Sequence, residues 1–293
     1  IAYRSSDNGK TWEGPSIAFD IEYSQHGFIP LIPRASERIY AFGTQPIPNK
    51  YSREQGRHES TPIGFRGSDD DGHTWSDTTL IKPDNDSGFL GMSVTRMCET
   101  STGAWILGSH AADWSKRPLI TRQYVLRSED KGKTWMLLPG KRPNGWFSKK
   151  YSRMDEGRPI HLGNEEVYFM ARTPTGRIWE ARSMDDGKTW TDPEPSSLVH
   201  PDAPPMVFHL SDGKTLISFH HNRHINTQYT GLTGKMDGMR DRAEIWVSLS
   251  GDGGRSWSEP QFLFTNATQP NPAKNGWFNH NSSYMDAVID DGK

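Results

Sequence analysis

The chain has 293 residues, a formal net charge of −2, 24% charged residues, 28 glycines and 20 prolines. This length and turn-rich composition are typical of one large all-β domain, and the charge argues against a nucleic-acid partner. No apolar run approaches the roughly 18 residues that a membrane-spanning helix needs, and the single cysteine, Cys98, excludes an internal disulfide.

An eight-residue pattern, Ser-x-Asp-x-Gly-x-Thr/Ser-Trp, occurs five times along the chain. The copies start at Ser5, Ser68, Ser128, Ser183 and Ser250. This spacing suits four-stranded propeller blades better than the shorter units of a solenoid. In each copy, Asp is expected to accept hydrogen bonds from the turn, Gly to take a positive φ, and Trp to bury its ring between blades. The pattern therefore predicts a structural hairpin turn without catalytic chemistry.

The fourth unit shows the predicted order of strands. Strands are expected around 159–162, over 167–171, over 177–182 and from Trp190 onward. In an up-and-down blade, the turns after the first and third strands share one face. The loop after the second strand and the crossing to the next blade share the other face. A binding site is therefore expected on the face opposite the repeats.

Four candidate site residues fall on that opposite face. Arg172 ends a second strand, Arg242 precedes a third strand, and Glu156 and Tyr284 lie in crossings between blades. Each also has an ordinary structural interpretation. The arginines could bridge to nearby acidic residues, Glu156 could be a solvated loop carboxylate, and Tyr284 could be a buried aromatic residue.

These features together resemble the exo-sialidases, retaining glycoside hydrolases with a six-bladed β-propeller in which the repeat is called the Asp-box. The resemblance covers the chain through its repeats and is most specific from Met154 onward. Glu156, followed sixteen residues later by Arg172, is similar to the family's catalytic glutamate and second carboxylate-binding arginine. Arg242, eight residues before the fifth repeat, matches the third such arginine, and Tyr284 matches the catalytic tyrosine.

The resemblance implies a single all-β propeller domain over 1–293 that removes a terminal acidic sugar, with sialic acid as the expected sugar and retention of configuration. Because sialic acid carries a carboxylate on its anomeric carbon, a phenol nucleophile avoids the repulsion that a carboxylate nucleophile would meet. Arginine forks suit the ligand carboxylate. Sialylated or other acidic glycans are the expected partners, with no cofactor, no metal, and a secreted or periplasmic location.

The family's first carboxylate-binding arginine and its acid/base aspartate lie upstream of the first Asp-box, and this chain begins at Ile1, just before that repeat. We therefore expect the propeller to be incomplete at both ends and the chain by itself to be nearly inactive. Two other functions stay open. One is a propeller lyase or hydrolase acting on glycans that contain uronic acid, and the other is an inactive carbohydrate-binding propeller.

Several further residues are expected in loops of the face opposite the repeats. His110 and Trp114 are candidate substrate contacts, and the tryptophans there, including Trp146, could stack on sugar rings. His220, His221 and His224 do not predict a metal site, because adjacent side chains on a strand point to opposite faces. The long loop 222–241 that includes His224 has no counterpart in the ordinary sialidase pattern.

Overall fold

The computed structural model describes residues 2–17, 28–45, 60–113, 115–116, 119–210, 212–221, 224, 242 and 244–265. Within these ranges the chain forms eighteen β-strands and no helix, so no described helix could span a membrane. The strands form one two-stranded hairpin and four antiparallel sheets of four strands, each sheet built from consecutive strands. The prediction of an all-β protein is confirmed.

The hairpin pairs β1 (Ala2–Arg4) with β2 (Glu13–Ser16). The first four-stranded sheet contains β3 (Ile29–Leu31), β4 (Ile39–Thr44), β5 (Ile63–Ser68) and β6 (Thr79–Leu80). The second contains β7 (Val94–Glu99), β8 (Trp105–Asp113), β9 (Ile120–Ser128) and β10 (Met136–Leu138). The third contains β11 (Asp155–Gly163), β12 (Glu166–Arg172), β13 (Arg177–Ser183) and β14 (Glu194–Val199). The fourth contains β15 (Met206–His209), β16 (Leu216–His220), β17 (Glu244–Ser250) and β18 (Gln261–Thr265).

Every eight-residue repeat closes the hairpin before the last strand of its sheet. In the third copy, Asp130 accepts hydrogen bonds from the N–H and the hydroxyl of Thr134 at 2.8 and 2.7 Å. The N–H of Gly132, whose φ is 86°, donates to Ser128 Oγ at 2.8 Å. The other four copies make the same bonds. The turn therefore has the structure that the pattern predicts.

Two details of the repeats differ from expectation. Trp12 of the first copy is 63% exposed, whereas Trp135 of the third is buried. Trp12 belongs to the two-stranded hairpin, and among the described residues its indole N–H donates only to the Gly9 oxygen of its own turn. The last strand of the third sheet starts at Glu194 and not at Trp190, because the Trp190 ring packs inward against Trp146 and Phe169.

The packing between sheets follows chain order. Three apolar clusters each lie between two consecutive four-stranded sheets. Along β8, alternate residues serve different clusters: Trp105 and Leu107 face the first sheet, and Ile106 faces the third. The first strands β3, β7, β11 and β15 also contact one another in sequence. The sheets are thus arranged side by side with their first strands together.

An arginine before a repeat links its sheet to the next one. Three arginines donate to the main-chain oxygen of the fourth residue in the following repeat: Arg4 to Asp71, Arg127 to Asp186 and Arg182 to Gly253. Arg127 also forms a buried ion pair with Asp186, with Nη2 and Oδ2 3.0 Å apart. The contact therefore recurs between the hairpin and the first four-stranded sheet, between the second and third sheets, and between the third and fourth sheets.

Replacing Arg127 by Ala is expected to lower the free energy of unfolding by about 3–5 kcal/mol, because it leaves the buried Asp186 carboxylate without its cation. Arg4→Ala removes the equivalent link at an exposed position and should cost only about 0–1 kcal/mol. Chemical denaturation of both variants measures the difference. Equal losses would show that the buried ion pair adds nothing to the link.

Candidate active site

The candidate site lies at the end of the third sheet that is opposite the repeat turn. Asp155 pairs with Arg172 at this end, where β11 begins and β12 ends. At the other end, His161 aligns with Val167, which aligns with Ser183, the first residue of the fourth repeat. Glu156 and Arg172 therefore lie away from the repeat turns, as strand order predicts.

Glu156 is buried and has a φ of 48°. It is the second residue of β11, whereas the sequence analysis placed it in the crossing before this strand. The ladder to β12 is irregular between Asp155 and Arg158, which allows the strand to bend around Glu156. A positive φ is strained for a residue with a side chain, and such strain clusters at functional sites.

The next residue, Gly157, fixes this strained segment. Its N–H donates to Gln123 Oε1 at 2.8 Å, and its carbonyl accepts from Thr95 Oγ1 at 2.7 Å. A Cβ at Gly157 would lie 2.2 Å from the Phe169 ring. It would also lie 2.8 Å from Gln123 Cδ of the second sheet, so a residue with a Cβ does not fit here without displacing Phe169 or Gln123.

Arg172 connects two carboxylates from different segments. Its Nη1 lies 2.5 Å from Glu156 Oε2, and its Nε lies 2.6 Å from Asp202 Oδ1. The guanidinium is buried, and the nearby carboxylates raise its pKa well above the ordinary value even though burial opposes this. Arg172 is therefore a fixed cation at the centre of the site.

Asp202 brings the second candidate arginine to the same place. Arg242 Nη2 donates to the main-chain oxygen of Asp202, while the Asp202 side chain binds Arg172 Nε and, at 3.1 Å, Arg153 Nη1. Arg172 and Arg242 are far apart in the sequence, but both contact Asp202 and therefore lie close together in the structure. Glu156, Arg172 and Arg242 are brought together around Asp202.

Asp155 also belongs to this cluster. Its Oδ2 accepts from Arg153 Nε at 2.8 Å and from Thr121 Oγ1 at 3.0 Å. Burial would raise the pKa of Asp155, but the guanidinium groups of Arg153 and Arg172 lower it. Because the folded pKa is lowered, this carboxylate stabilises the fold near neutral pH, and the contribution is lost as the pH falls through the lowered pKa.

His110 lies behind Glu156 and not in a loop, which corrects the sequence expectation. It is a buried residue of β8. Its Nδ1 lies 2.9 Å from Ser93 Oγ and accepts, at 3.4 Å, from the Glu156 N–H. Because a backbone N–H can only donate, Nδ1 carries no proton in this arrangement. His110 therefore holds the main chain of Glu156.

His110→Phe keeps a ring of similar size but removes the acceptor for the Glu156 N–H. We expect this change to lower the free energy of unfolding by about 1–3 kcal/mol and to reduce turnover by misplacing Glu156. Ser93→Ala removes the other partner of Nδ1 and should leave turnover nearly unchanged. Steady-state kinetics and thermal unfolding of both variants test this, and full activity in His110→Phe would contradict the positioning role.

A family model described as BNR repeat-like domain matches residues 1–293 of the chain. The chain belongs to the BNR repeat-like domain family. Curated protein sequences give no match. All five repeats, from Ser5 to Trp257, lie within the matched residues.

Solved structures share the fold of this BNR repeat-like domain. A Hadza microbial sialidase is 20% identical, with a TM-score of 0.62 over 90% of this chain and 52% of that chain. A Dyadobacter fermentans protein of unknown function is 18% identical, with a TM-score of 0.61 over 90% and 71%. An α-L-arabinofuranosidase from Fusarium graminearum is 15% identical, with a TM-score of 0.55 over 84% and 68%. The chain thus spans about half the length of the sialidase and shares the sialidase fold.

The sequence analysis missed two important residues of the candidate site. Asp202 and Arg153 hold the cluster together, yet neither belongs to a motif. Asp202 lies in the crossing from β14 to β15, within His200-Pro201-Asp202-Ala203-Pro204. Strand order places that crossing on the same face as Glu156, so an acidic residue there was the available signal.

The structure describes only some of the remaining candidate residues. Tyr284 and Trp114 lie outside the described residues, so their roles stay predictions. Trp146 is buried against Phe169 and Trp190 and is not an open sugar platform. His220 and His221 have separate partners: His220 Nε2 lies 3.0 Å from Ser248 Oγ, and His221 Nδ1 lies 2.9 Å from the Glu244 oxygen. The described residues contain no cluster suited to a metal ion.

Proposed function

We propose that the protein is a glycoside hydrolase that removes a terminal acidic sugar, sialic acid, from glycans with retention of configuration. The observation that carries this proposal is the convergence of Glu156, Arg172 and Arg242 around Asp202. Glu156, a strained and buried carboxylate paired with Arg172, is a candidate base, and Arg172 together with Arg242, which Asp202 holds nearby, is a candidate binding site for a carboxylate. Both parts of the proposed reaction need these groups close together.

Substrate binding rests on the unused donors of Arg172. Its Nε and Nη1 already contact Asp202 and Glu156, whereas Nη2 has no partner among the residues described. The edge formed by Nη1 and Nη2 can therefore still donate two hydrogen bonds to a ligand carboxylate. Arg242 Nη2 donates to the main-chain oxygen of Asp202. Arg242 therefore lies close enough to supply a second positive charge for the ligand carboxylate.

Catalysis is assigned to Glu156 and Tyr284 together. In this mechanism the Tyr284 oxygen attacks the anomeric carbon while Glu156 takes the phenolic proton, and the glycosidic bond breaks. Water then attacks the same carbon, the bond to Tyr284 breaks, and Glu156 returns the proton to the phenol. Two inversions give overall retention. The attacking water gives one proton to solvent and the departing aglycone oxygen takes one from solvent, so the reaction balances.

We further propose that the sheets are blades of a six-bladed propeller. Consecutive four-stranded sheets in chain order, with their first strands together, are the arrangement of propeller blades. The hairpin β1–β2 corresponds to the last two strands of another blade, since it carries a repeat in the same position.

One observation favours a second candidate, a hydrolase of a neutral sugar. Arg172 contacts three carboxylates of the protein itself, Asp155, Glu156 and Asp202, so its charge is already compensated without a ligand. The arabinofuranosidase that shares the fold is named for a sugar without a carboxylate. In this alternative, Arg172 only organises the acidic residues.

The deciding experiment compares fluorogenic substrates with the full-length protein. We expect release of 4-methylumbelliferone from the sialoside and none from the matching α-L-arabinofuranoside or β-glucuronide. Proton NMR of the first product should show the α-anomer of sialic acid, as retention requires. The Glu156→Gln variant controls for contaminating activity.

Other outcomes would replace the proposal. Cleavage of only the arabinofuranoside would support the neutral-sugar hydrolase. Unsaturated products that absorb ultraviolet light from uronic-acid glycans would identify a lyase. Saturable glycan binding without any turnover would identify a carbohydrate-binding propeller.

A further inference from the structure

Two stacked histidines, His200 and His221, are buried and have no role in the proposed mechanism. His200 belongs to the crossing from β14 to β15, and His221 directly follows β16. The His200 N–H donates to the Gly176 oxygen, in the loop after β12, at 3.0 Å, and the two imidazole rings have their centres 5.2 Å apart. The pair therefore joins the third sheet to the fourth at the end that carries the candidate site.

The His200 ring holds the main chain on the far side of Asp202. Its Nε2 lies 3.0 Å from the Ala203 oxygen and 3.1 Å from the Pro204 oxygen. Because a carbonyl oxygen can only accept, Nε2 carries the ring hydrogen and donates it to both oxygens. The ring thus closes the segment 200–204, and Asp202 lies in the middle of this segment.

His221 holds the other ring nitrogen of His200. The His221 N–H donates to His200 Nδ1 at 3.2 Å, so Nδ1 carries no hydrogen and the His200 ring is neutral. Burial, followed by the neighbouring His221 and His220, lowers the pKa of His200 well below its ordinary value, which keeps the ring neutral near neutral pH. Both ring nitrogens of His200 have partners, and these partners fix the orientation of the ring.

His221 also contacts the strand that follows Arg242. Its Nδ1 lies 2.9 Å from the main-chain oxygen of Glu244, two residues after Arg242, and donates its hydrogen there. Arg242 Nη2 in turn donates to the main-chain oxygen of Asp202. A continuous set of contacts therefore runs from Glu244 through the two histidines to the segment of Asp202, and from Asp202 to both arginines of the candidate site.

We propose that His200 is a positioning residue for carboxylate recognition, because it places Asp202 where its side chain meets Arg172 and its main-chain oxygen meets Arg242. A binding site needs its charged groups held within about 0.5 Å of the productive geometry. His200 meets this need by fixing the one residue that both arginines contact. This inference rests on the proposed function, since it concerns the same carboxylate site.

Binding of sialic acid to the full-length protein, measured by NMR titration, tests this role. His200→Asn keeps an acceptor near the place of Nδ1 but loses the donor to the Ala203 and Pro204 oxygens. We expect it to weaken the Kd about tenfold or more, the effect of one lost hydrogen bond to a charged group. His200→Gln places an N–H near the position of Nε2 and should restore most of the affinity.

His209→Asn is the matched control for His200→Asn. His209 Nε2 donates to the main-chain oxygen of His161 at 2.9 Å, so this variant also loses a bond from a histidine Nε2 between the third and fourth sheets. It lies at the repeat end, since His209 pairs with Leu216 and Leu216 pairs with Ser250 of the fifth repeat. It should lower Tm but leave the Kd unchanged. A wild-type Kd in His200→Asn, or an equal loss of affinity in His209→Asn, would overturn the proposal.

NMR without ligand separates a failure of this inference from a failure of the proposed function. The ¹⁵N chemical shifts of wild-type His200 should show its hydrogen on Nε2. The signal of the Arg172 Nε–H, which donates to Asp202 Oδ1 at 2.6 Å, should move in His200→Asn and not in His209→Asn. If these signals behaved as expected but the wild type bound no sialic acid, the proposed function would be wrong and His200 would still position Arg172. A hydrogen on His200 Nδ1, or an unmoved Arg172 signal, would overturn the positioning role whatever the protein binds.

Discussion

Replacing Glu156 by Gln is expected to lower kcat by about 10²–10⁴-fold, the usual contribution of a general base. The amide keeps the size of the side chain but cannot take the phenolic proton of Tyr284. It can still accept a hydrogen bond from Arg172 Nη1, which lies 2.5 Å from the present carboxylate. Substrate binding should therefore change less than turnover. Steady-state kinetics on the sialoside gives kcat and KM separately.

Glu165→Gln is the matched control for this experiment. Glu165 also has a positive φ, 65°, but it is exposed on the turn between β11 and β12, at the repeat end of the sheet. The same substitution there should leave kcat unchanged. If Glu156→Gln retained wild-type turnover, the assignment of Glu156 as the base would be wrong, whatever the fold of the protein.

Replacing Arg172 by Lys is expected to reduce kcat/KM about thirtyfold, which corresponds to about 2 kcal/mol of lost transition-state binding. A lysine ammonium keeps the charge but cannot reach Asp202, Glu156 and a ligand carboxylate at once, because it lacks the planar fork. The loss in kcat/KM should appear when the sialoside is the substrate. A neutral-sugar substrate would lose less, since it offers no carboxylate to Arg172.

Arg255→Lys provides the comparison for Arg172→Lys. Arg255 pairs with Glu166 at 2.7 Å, but its side chain is 52% exposed, so the change should have little effect on kcat/KM. Thermal unfolding of Arg172→Lys separates lost binding from lost stability, since the residue is buried among carboxylates. A folded Arg172→Lys variant with wild-type kcat/KM would remove Arg172 from the substrate site.

Local sequence patterns were sufficient to predict much of the fold. The eight-residue repeat encodes its own hydrogen bonds, because its Ser, Asp, Gly and Thr contact one another within the turn, as Ser128, Asp130, Gly132 and Thr134 do. The sequence predicted β12 and β13 to within one residue at each end, but it placed the first strand of this sheet around 159–162, whereas β11 begins at Asp155. The start of β14 was missed because the position of Trp190 depends on Trp146, which lies in a distant segment.

The candidate site was only partly predictable, and the reason is distance along the chain. By itself the sequence determined that Glu156 and Arg172 lie at the same end of their sheet, since strand order and antiparallel pairing require it. Only the tertiary structure brought Arg242 to them through Asp202, placed His110 behind Glu156 and revealed the strained φ of 48°. Ion pairs between segments form where sheets pack, and packing depends on how side chains from several strands fill space together. No local pattern specifies such contacts, so they become visible only in the folded chain.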